Sequence, residues 1–241
     1  MDSEFIGGLL KLILINILLS GDNAVVIALA CRSLPSHQQR RAIAWGGVGA
    51  IGLRVLLTFV AVWVLKIPFV QVAGSLLLLY IAVKLLLDDG GETEVKERSG
   101  LSGAIKTIIV ADLVMSLDNV LAVAGAAQGN ILLIVVGLAI SIPLILWGSN
   151  LLMKLMHRYP VIVLAGAGLL GYTAGEMLQS DEAVGAYLEI PVRGGHYAIP
   201  LLLAVLVVAA GKLLSRRRAA SRELQDLQSS HSQPIQGGHR Q

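Results

Sequence analysis

The sequence predicts an all-α polytopic membrane protein: seven transmembrane helices, arranged as an inverted 3+3 repeat plus one additional C-terminal helix. Three observations predict it. First, only 15% of the 241 residues are charged and 55% are hydrophobic, against about 25% charged in an ordinary soluble domain. The mean hydropathy is +0.74. Second, apolar runs close to the roughly 20 residues that span a bilayer recur along the chain. They lack the period-2 alternation of a barrel strand, and a helix satisfies its own backbone in lipid. Third, a Ser-x-Asp-Asn element occurs twice inside these apolar runs, at Ser20–Asn23 and Ser116–Asn119.

Taken in order, segment one runs from Phe5 to Ala30 and segment two from Ala42 to Leu65. Segment two carries Gly46, Gly47, Gly49 and Gly52, small residues that let helices approach closely. Segment three spans Val70 to Leu87, and a polar loop rich in Gly and Glu follows. Segment four spans Ala104 to Ala127, and Gln128-Gly129-Asn130 makes a tight turn. Segment five, Ile131 to Met153, contains Pro143, which should kink it or soften a turn. Segment six spans Val161 to Leu178, and segment seven Ala198 to Leu214.

The resulting organisation is a first three-helix repeat at 5–88, a cytoplasmic linker at 89–103 and a second, inverted repeat at 104–179. An extracytoplasmic loop at 180–197, with room for a short surface helix, leads to the seventh helix at 198–214. A basic and then polar tail, 215–241, is expected to be disordered, apart from a short amphipathic extension toward Leu227.

Positive charge orients the chain. Arg32, Arg40, Arg41, Lys96, Arg98, Lys106, Lys154, Arg158, Lys212 and Arg216–Arg218 all fall at connections on one side. The opposite connections hold only Lys66 and Arg193. The rule that basic loops stay inside predicts an outside amino terminus and a cytoplasmic carboxyl terminus in a bacterial inner membrane. The net charge of +3 is spent on this asymmetry and makes no case for nucleic acid. The single Cys31 excludes an internal disulfide framework. The start, Met1-Asp2-Ser3-Glu4, lacks the basic region of a cleaved signal peptide.

Asp22 and Asp118 stand 96 positions apart, and at that offset Ser20 matches Ser116 and Asn16 matches Asp112. At an offset of 92, Val72–Tyr80 aligns with Leu164–Tyr172, and Lys84 meets Glu176. Three segments is an odd number, so the halves enter the bilayer from opposite sides. Such inverted repeats are common in secondary transporters, with the site near the midplane.

An ionisable residue in lipid is expensive and by default marks a transport path. Asp22, Asn23, Asp118 and Asn119 offer two carboxylates and two amide carbonyls, a hard oxygen set suited to Mg²⁺, Ca²⁺ or Mn²⁺. Adjacent residues lie about 100° apart on a helix, so both members of a pair reach one ion only if the helix unwinds locally. Gly21 permits that in the first copy; Leu117 hinders it in the second. Asn16, Ser20, Asp112, Met115, Ser116, Lys84 and Glu176 are candidates for supporting or pathway roles. Lys84 and Glu176 either pair across the repeat axis or each extend to an interface, and Arg54 is expected to snorkel. The bland account of the Asp-Asn pairs is a helix–helix hydrogen-bond clamp.

These residues carry a resemblance. Gly21–Ala28 and Asp112–Val120 are similar to the paired elements of the TerC family of integral membrane proteins, most closely its YjbE-like, seven-segment branch. The likeness covers roughly Phe5 to Leu214. The family takes its name from tellurium resistance, and members resembling this chain are associated with manganese export. The resemblance therefore implies Mn²⁺ as transported substrate, carried by Asp22, Asn23, Asp118 and Asn119, with no tightly bound cofactor. An oxyanion such as tellurite would seek Arg, Lys or helix amino termini instead of paired acids. The expected partners are membrane lipid and a divalent cation, and a homo-oligomer is compatible with this reading.

The chain is not expected to be an enzyme. An intramembrane aspartyl protease would need a Gly-x-Gly-Asp element, and here Leu19-Ser20-Gly21-Asp22 lacks the first glycine. The other rival is a non-transporting membrane partner in a metal or tellurite stress response. No nucleotide-binding motif points to direct ATP use.

Overall fold

The computed structural model describes residues 21–87, 96–127, 131–188 and 194–231, together with Leu10 and Leu14. Every regular element among them is helical. In chain order they are α1 (Gly21–Cys31), α2 (Ser36–Val64), α3 (Val70–Leu87), α4 (Lys96–Ala127), α5 (Ile131–Arg158), α6 (Val161–Ser180), the short α7 (Gly185–Leu188) and α8 (Ala198–His231). A single 3₁₀ turn, Gly195–Tyr197, leads into α8.

Five of these stretches are long and apolar enough to cross a membrane: 36–60, 70–87, 100–117, 161–180 and 195–215. α1 is a shorter apolar helix of 11 described residues, and most of the expected segment one lies outside the described residues. α5 is continuous through Pro143.

Several helices outrun their apolar runs. α2 begins at Ser36 and α4 at Lys96, ahead of the expected Ala42 and Ala104. Hydropathy marks only the part of a helix that sits in lipid. Gln, Arg, Lys and Glu at the ends are good helix formers and continue it into water. The same reason extends the carboxyl-terminal helix: α8 runs unbroken to His231, a few residues past the amphipathic extension expected toward Leu227. Residues 232–241 and the turn 128–130 lie outside the described residues, as do 88–95 of the linker.

α1 sits at the centre. Asn23 through Cys31 are all buried, and a helix buried on every side belongs to the core. It packs on α5, α4 and α6, with a smaller contact to α2. α2 packs chiefly on α4, α3 on α6, and α6 also on α8. α3 touches α4, α2 touches α5, and α4 touches α5. α8 is peripheral: only 17% of its apolar window is buried, and Leu201, Leu202, Val205 and Leu206 face outward. Trp45, Phe59, Trp63, Tyr80 and Trp147 are exposed as well. So much outward apolar surface is abnormal in water and ordinary against lipid.

Glycine sets the close approaches. A Cβ on Gly46 or Gly49 of α2 would strike Ile108 or Ile109 of α4, and one on Gly47 would come 3.0 Å from Leu146 of α5. The expectation for these three glycines is met, whereas Gly52 faces open space. α6 meets α8 more tightly still: a Cβ on Gly175 would lie 2.4 Å from Pro200 Cα. In α3, Gly74 lies against Met177 of α6, so the amino end of α3 meets the carboxyl end of α6 and the pair is antiparallel. Asp181 fixes that end. Its buried carboxylate accepts hydrogen bonds from the backbone N–H of Gln71 (3.2 Å) and Val72 (3.4 Å), capping the start of α3.

Candidate functional site

A group of buried polar residues lies where α2 and α4 meet, next to α1. Arg54 lies mid-helix in α2 and is only 7% exposed. Its Nε donates to Ser116 Oγ at 2.9 Å, and its Nη2 forms an ion pair with Asp112 Oδ1. Ser116 Oγ in turn donates to Asp112 Oδ2 at 3.3 Å. Asp112 and Ser116 are one helical turn apart, so they present one face of α4 to α2. The result is a closed triad in which each buried polar group has a partner, the condition for carrying charge into an apolar interior.

This corrects the reading of Arg54 as a snorkelling residue. Arg54 stands 13 residues after Arg41 and 12 before Lys66. That is roughly 18 Å of helix on either side, more than half of a hydrocarbon core about 30 Å thick. The depth was visible in the sequence, and Arg54 is the functional residue that sequence reasoning missed. Asp112, expected in a supporting or pathway role, is paired with Arg54.

Asp22 is half-buried and accepts a hydrogen bond from the backbone N–H of Asn23 at 2.8 Å. It lies within electrostatic reach of both Arg54 and Asp112. Asn23 is 2% exposed. The helix that carries the first Asp-Asn pair, α1, packs on α4 and touches α2, the two helices that hold the triad.

On α4, Ser116 and Met115 are buried and Asn119 is half-buried. Asp112, Ser116 and Asn119 follow an i, i+4, i+7 spacing on one face, while Asp118 is about 100° further round. α4 is an uninterrupted α-helix from Lys96 to Ala127, so the expected unwinding at Asp118-Asn119 is absent. Leu117 is buried against its neighbours, and regular helical backbone bonding is kept. The Asp118 side chain, Asn16 and Ser20 lie outside the described residues.

Lys84 and Glu176 do not meet. Both are exposed, and each sits near the carboxyl end of its own helix in the antiparallel α3–α6 pair. Lys84 is ten residues beyond Gly74, which touches Met177, so it lies about 15 Å along the axis from the level of Glu176. Glu176 instead lies against Tyr172. Among the described residues no cluster of three His, Cys, Asp or Glu side chains is grouped to hold a metal ion.

Several spanning helices around a buried charged cluster define a multi-pass helical membrane protein. Residues 1–219 match the Integral membrane protein TerC family, and the chain belongs to that family. It is similar to the uncharacterized membrane protein YjbE of Bacillus subtilis, 43% identical over 209 residues, or 87% of this chain and 94% of that protein. It is also similar to YkoY of the same organism, 26% identical over 68% of this chain and 57% of the relative. A third relative, YegH of Escherichia coli, is 27% identical over 68% of this chain but only 34% of its own length. No solved structure matches the chain.

Proposed function

We propose that this protein is a secondary transporter that exports a divalent cation, Mn²⁺ being the cargo its resemblance implies. The observation that carries the reading is a buried charged pair in the helical core, Arg54 with Asp112 and Ser116 at the α2–α4 contact, beside α1, which carries the buried Asn23 and the half-buried Asp22. Buried charge of this kind is costly in a membrane and is retained where charge must cross. In this reading Asp22 and Asp118 bear the charge that the cation neutralises. Asn23 and Asn119 supply carbonyl oxygens when the helices open locally around the ion, because in a regular helix each lies about 100° round from its aspartate. The chain acts as a carrier, not a catalyst, in the inner membrane, with its amino terminus outside and its carboxyl terminus in the cytoplasm.

The packing supports an inverted repeat. Exchanging α1, α2, α3 with α4, α5, α6 turns α2–α4 into α5–α1, α3–α4 into α6–α1 and α1–α2 into α4–α5. The pairs α1–α4, α2–α5 and α3–α6 map onto themselves. All of these contacts are present, which supports two related halves; the odd number of segments in each half is what makes the relation inverted. In such a fold the central pair, α1 and α4, is where a cation site belongs.

One observation favours a second reading. A triad of Arg54, Ser116 and Asp112 is also what a helix clamp in a non-transporting partner would contain. Equilibrium Mn²⁺ binding to purified protein separates the two. The transporter reading expects saturable binding by the wild type and its loss in a folded Asp22→Asn variant. Absence of binding by folded wild type would leave the clamp.

A further inference from the structure

The geometry points to a binding site for an anionic phospholipid on the flank of the α6–α8 pair, with one acyl chain in an open trough between the two helices and the phosphate at the Lys212 ammonium. The site goes beyond the transport reading and holds whatever the cargo is.

The trough comes from the way two helices splay. α6 and α8 run antiparallel, and glycine brings them together at one end only. A Cβ on Gly175 would lie 2.4 Å from Pro200 Cα, and one on Gly171 would lie 2.8 Å from the Leu203 carbonyl oxygen, both backbone atoms. Three residues nearer the start of α6, a Cβ on Gly168 would reach only the Val208 side chain, at 3.4 Å. From that level the helices part. Leu164, Ala165 and Gly168 of α6, with Ala204, Val208 and Lys212 of α8, line an open cavity of about 570 Å³. Small residues at Ala165, Gly168 and Ala204 leave it unfilled. An empty trough forfeits dispersion contacts along both walls, and an acyl chain restores them. From Ala204 to Lys212 is eight residues, about 12 Å of helix. Half of a hydrocarbon core is about 15 Å, so the trough matches the depth of one leaflet.

Charge selects the headgroup. Lys212 is the charged side chain among the described residues lining the trough. It is exposed and stands near the end of the apolar stretch 195–215, at headgroup level. Among the described residues its ammonium has no carboxylate partner. Gly211 is turned to Leu86 of α3, and Lys212 stands about 100° round the helix from it, on the trough. Arg216 takes the next turn of the same unbroken helix at i+4, with Arg217 and Arg218 after it. Arg158 is exposed at the connection into α6, the same end of the pair, whereas Glu176, the acid of α6, lies near the opposite end. A basic end of this kind favours a lipid with net negative charge over one whose own amine neutralises the phosphate. A lysine that only snorkels meets any headgroup that passes. The trough is what fixes one lipid beneath it.

The test uses full-length protein purified in a neutral detergent and titrated with phosphatidylglycerol or phosphatidylcholine of the same acyl chains. Retained lipid is counted by native mass spectrometry, and folding is checked by thermal unfolding. Wild type should hold phosphatidylglycerol at least about fivefold more tightly than phosphatidylcholine. Lys212→Gln should weaken phosphatidylglycerol about fivefold and leave phosphatidylcholine unchanged, while Lys212→Arg keeps the wild-type preference. Ala165→Trp fills the trough and should lower retention of both lipids with Lys212 intact; Ala165→Leu takes its place if that variant does not fold. Equal retention of the two lipids by wild type, or wild-type affinity for phosphatidylglycerol in Lys212→Gln, overturns the headgroup assignment. Undiminished retention in folded Ala165→Trp or Ala165→Leu overturns the trough. Saturable binding of inorganic phosphate that is lost in Lys212→Gln, with lipid retention unaffected, would assign Lys212 to a free anion and overturn the lipid site.

Discussion

Gly175→Ala should separate α8 from the rest of the protein. The added Cβ would lie 2.4 Å from Pro200 Cα and 2.8 Å from Pro200 N. Both are backbone atoms, so no side-chain rotation relieves the clash, and α8 must retreat by about 1 Å to reach a tolerable contact. A gap of that size forfeits a quarter to a half of each dispersion contact along the interface. α6–α8 is among the most extensive helix pairings in the fold, and one turn away Gly171 meets the Leu203 carbonyl in the same manner. Overpacking against rigid partners costs about 1–3 kcal/mol, and the upper part of that range applies here. For a chain of this size that lowers Tm by about 6–12 °C. The assay is thermal unfolding in detergent, with disulfide crosslinking between cysteines placed on α6 and α8. Gly168→Ala is the internal control. Its Cβ would meet only Val208 Cγ2 at 3.4 Å, and alanine is the better helix former, so stability should hold or rise slightly. If Gly175→Ala matches Gly168→Ala in Tm and crosslinking yield, the close-approach argument is wrong.

Three further predictions concern single interactions. Asp112→Ala leaves Arg54 buried without its counter-ion and should cost about 3–5 kcal/mol in denaturant unfolding; adding Arg54→Met should recover most of it. Asp181→Ala removes the acceptor for the Gln71 and Val72 backbone N–H groups, and should cost about 1 kcal/mol while increasing amide exchange at the start of α3. Phe69 has φ of 65° with an exposed side chain, so Phe69→Gly should raise stability by up to about 1 kcal/mol; a loss would mean that the ring contributes more than the strain costs.

The sequence disclosed the parts of this protein that follow from the bilayer as solvent. Lipid demands long apolar helices, and the hydropathy limits for α3 and the starts of α5, α6 and α8 coincide with the structure. It under-read helix ends in water: Ser36–Arg41 is polar yet helical, and α8 continues past the expected extension toward Leu227 to His231. Hydropathy reports partition, not backbone conformation.

The site was legible in one dimension only. Asp22, Asn23, Asp112 and Ser116 stood out because polar residues in apolar runs are rare; the structure joins Asp112 and Ser116 through Arg54 and packs α1, which carries Asp22 and Asn23, on the same helix α4. Which acid pairs with which base depends on the rotation of α2 against α4, and a single sequence does not specify it. The depth of Arg54 was the missed signal: a residue about 18 Å from either polar end needs a partner inside the membrane. Lys84 and Glu176, read as either pairing across the axis or each extending to an interface, do not meet, for a reason already implicit in the repeat. Equivalent residues meet across an in-plane axis only near the midplane, and these two lie at opposite ends of an antiparallel pair.

The most direct test of the central claim is Mn²⁺ flux in proteoliposomes containing wild-type protein or Asp118→Asn. The account predicts saturable, metal-dependent flux by the wild type that falls to the level of empty vesicles in a folded, correctly inserted variant. Flux by Asp118→Asn equal to wild type would remove the paired acids from the transport path, and no flux by folded wild type under any imposed gradient would contradict transport altogether.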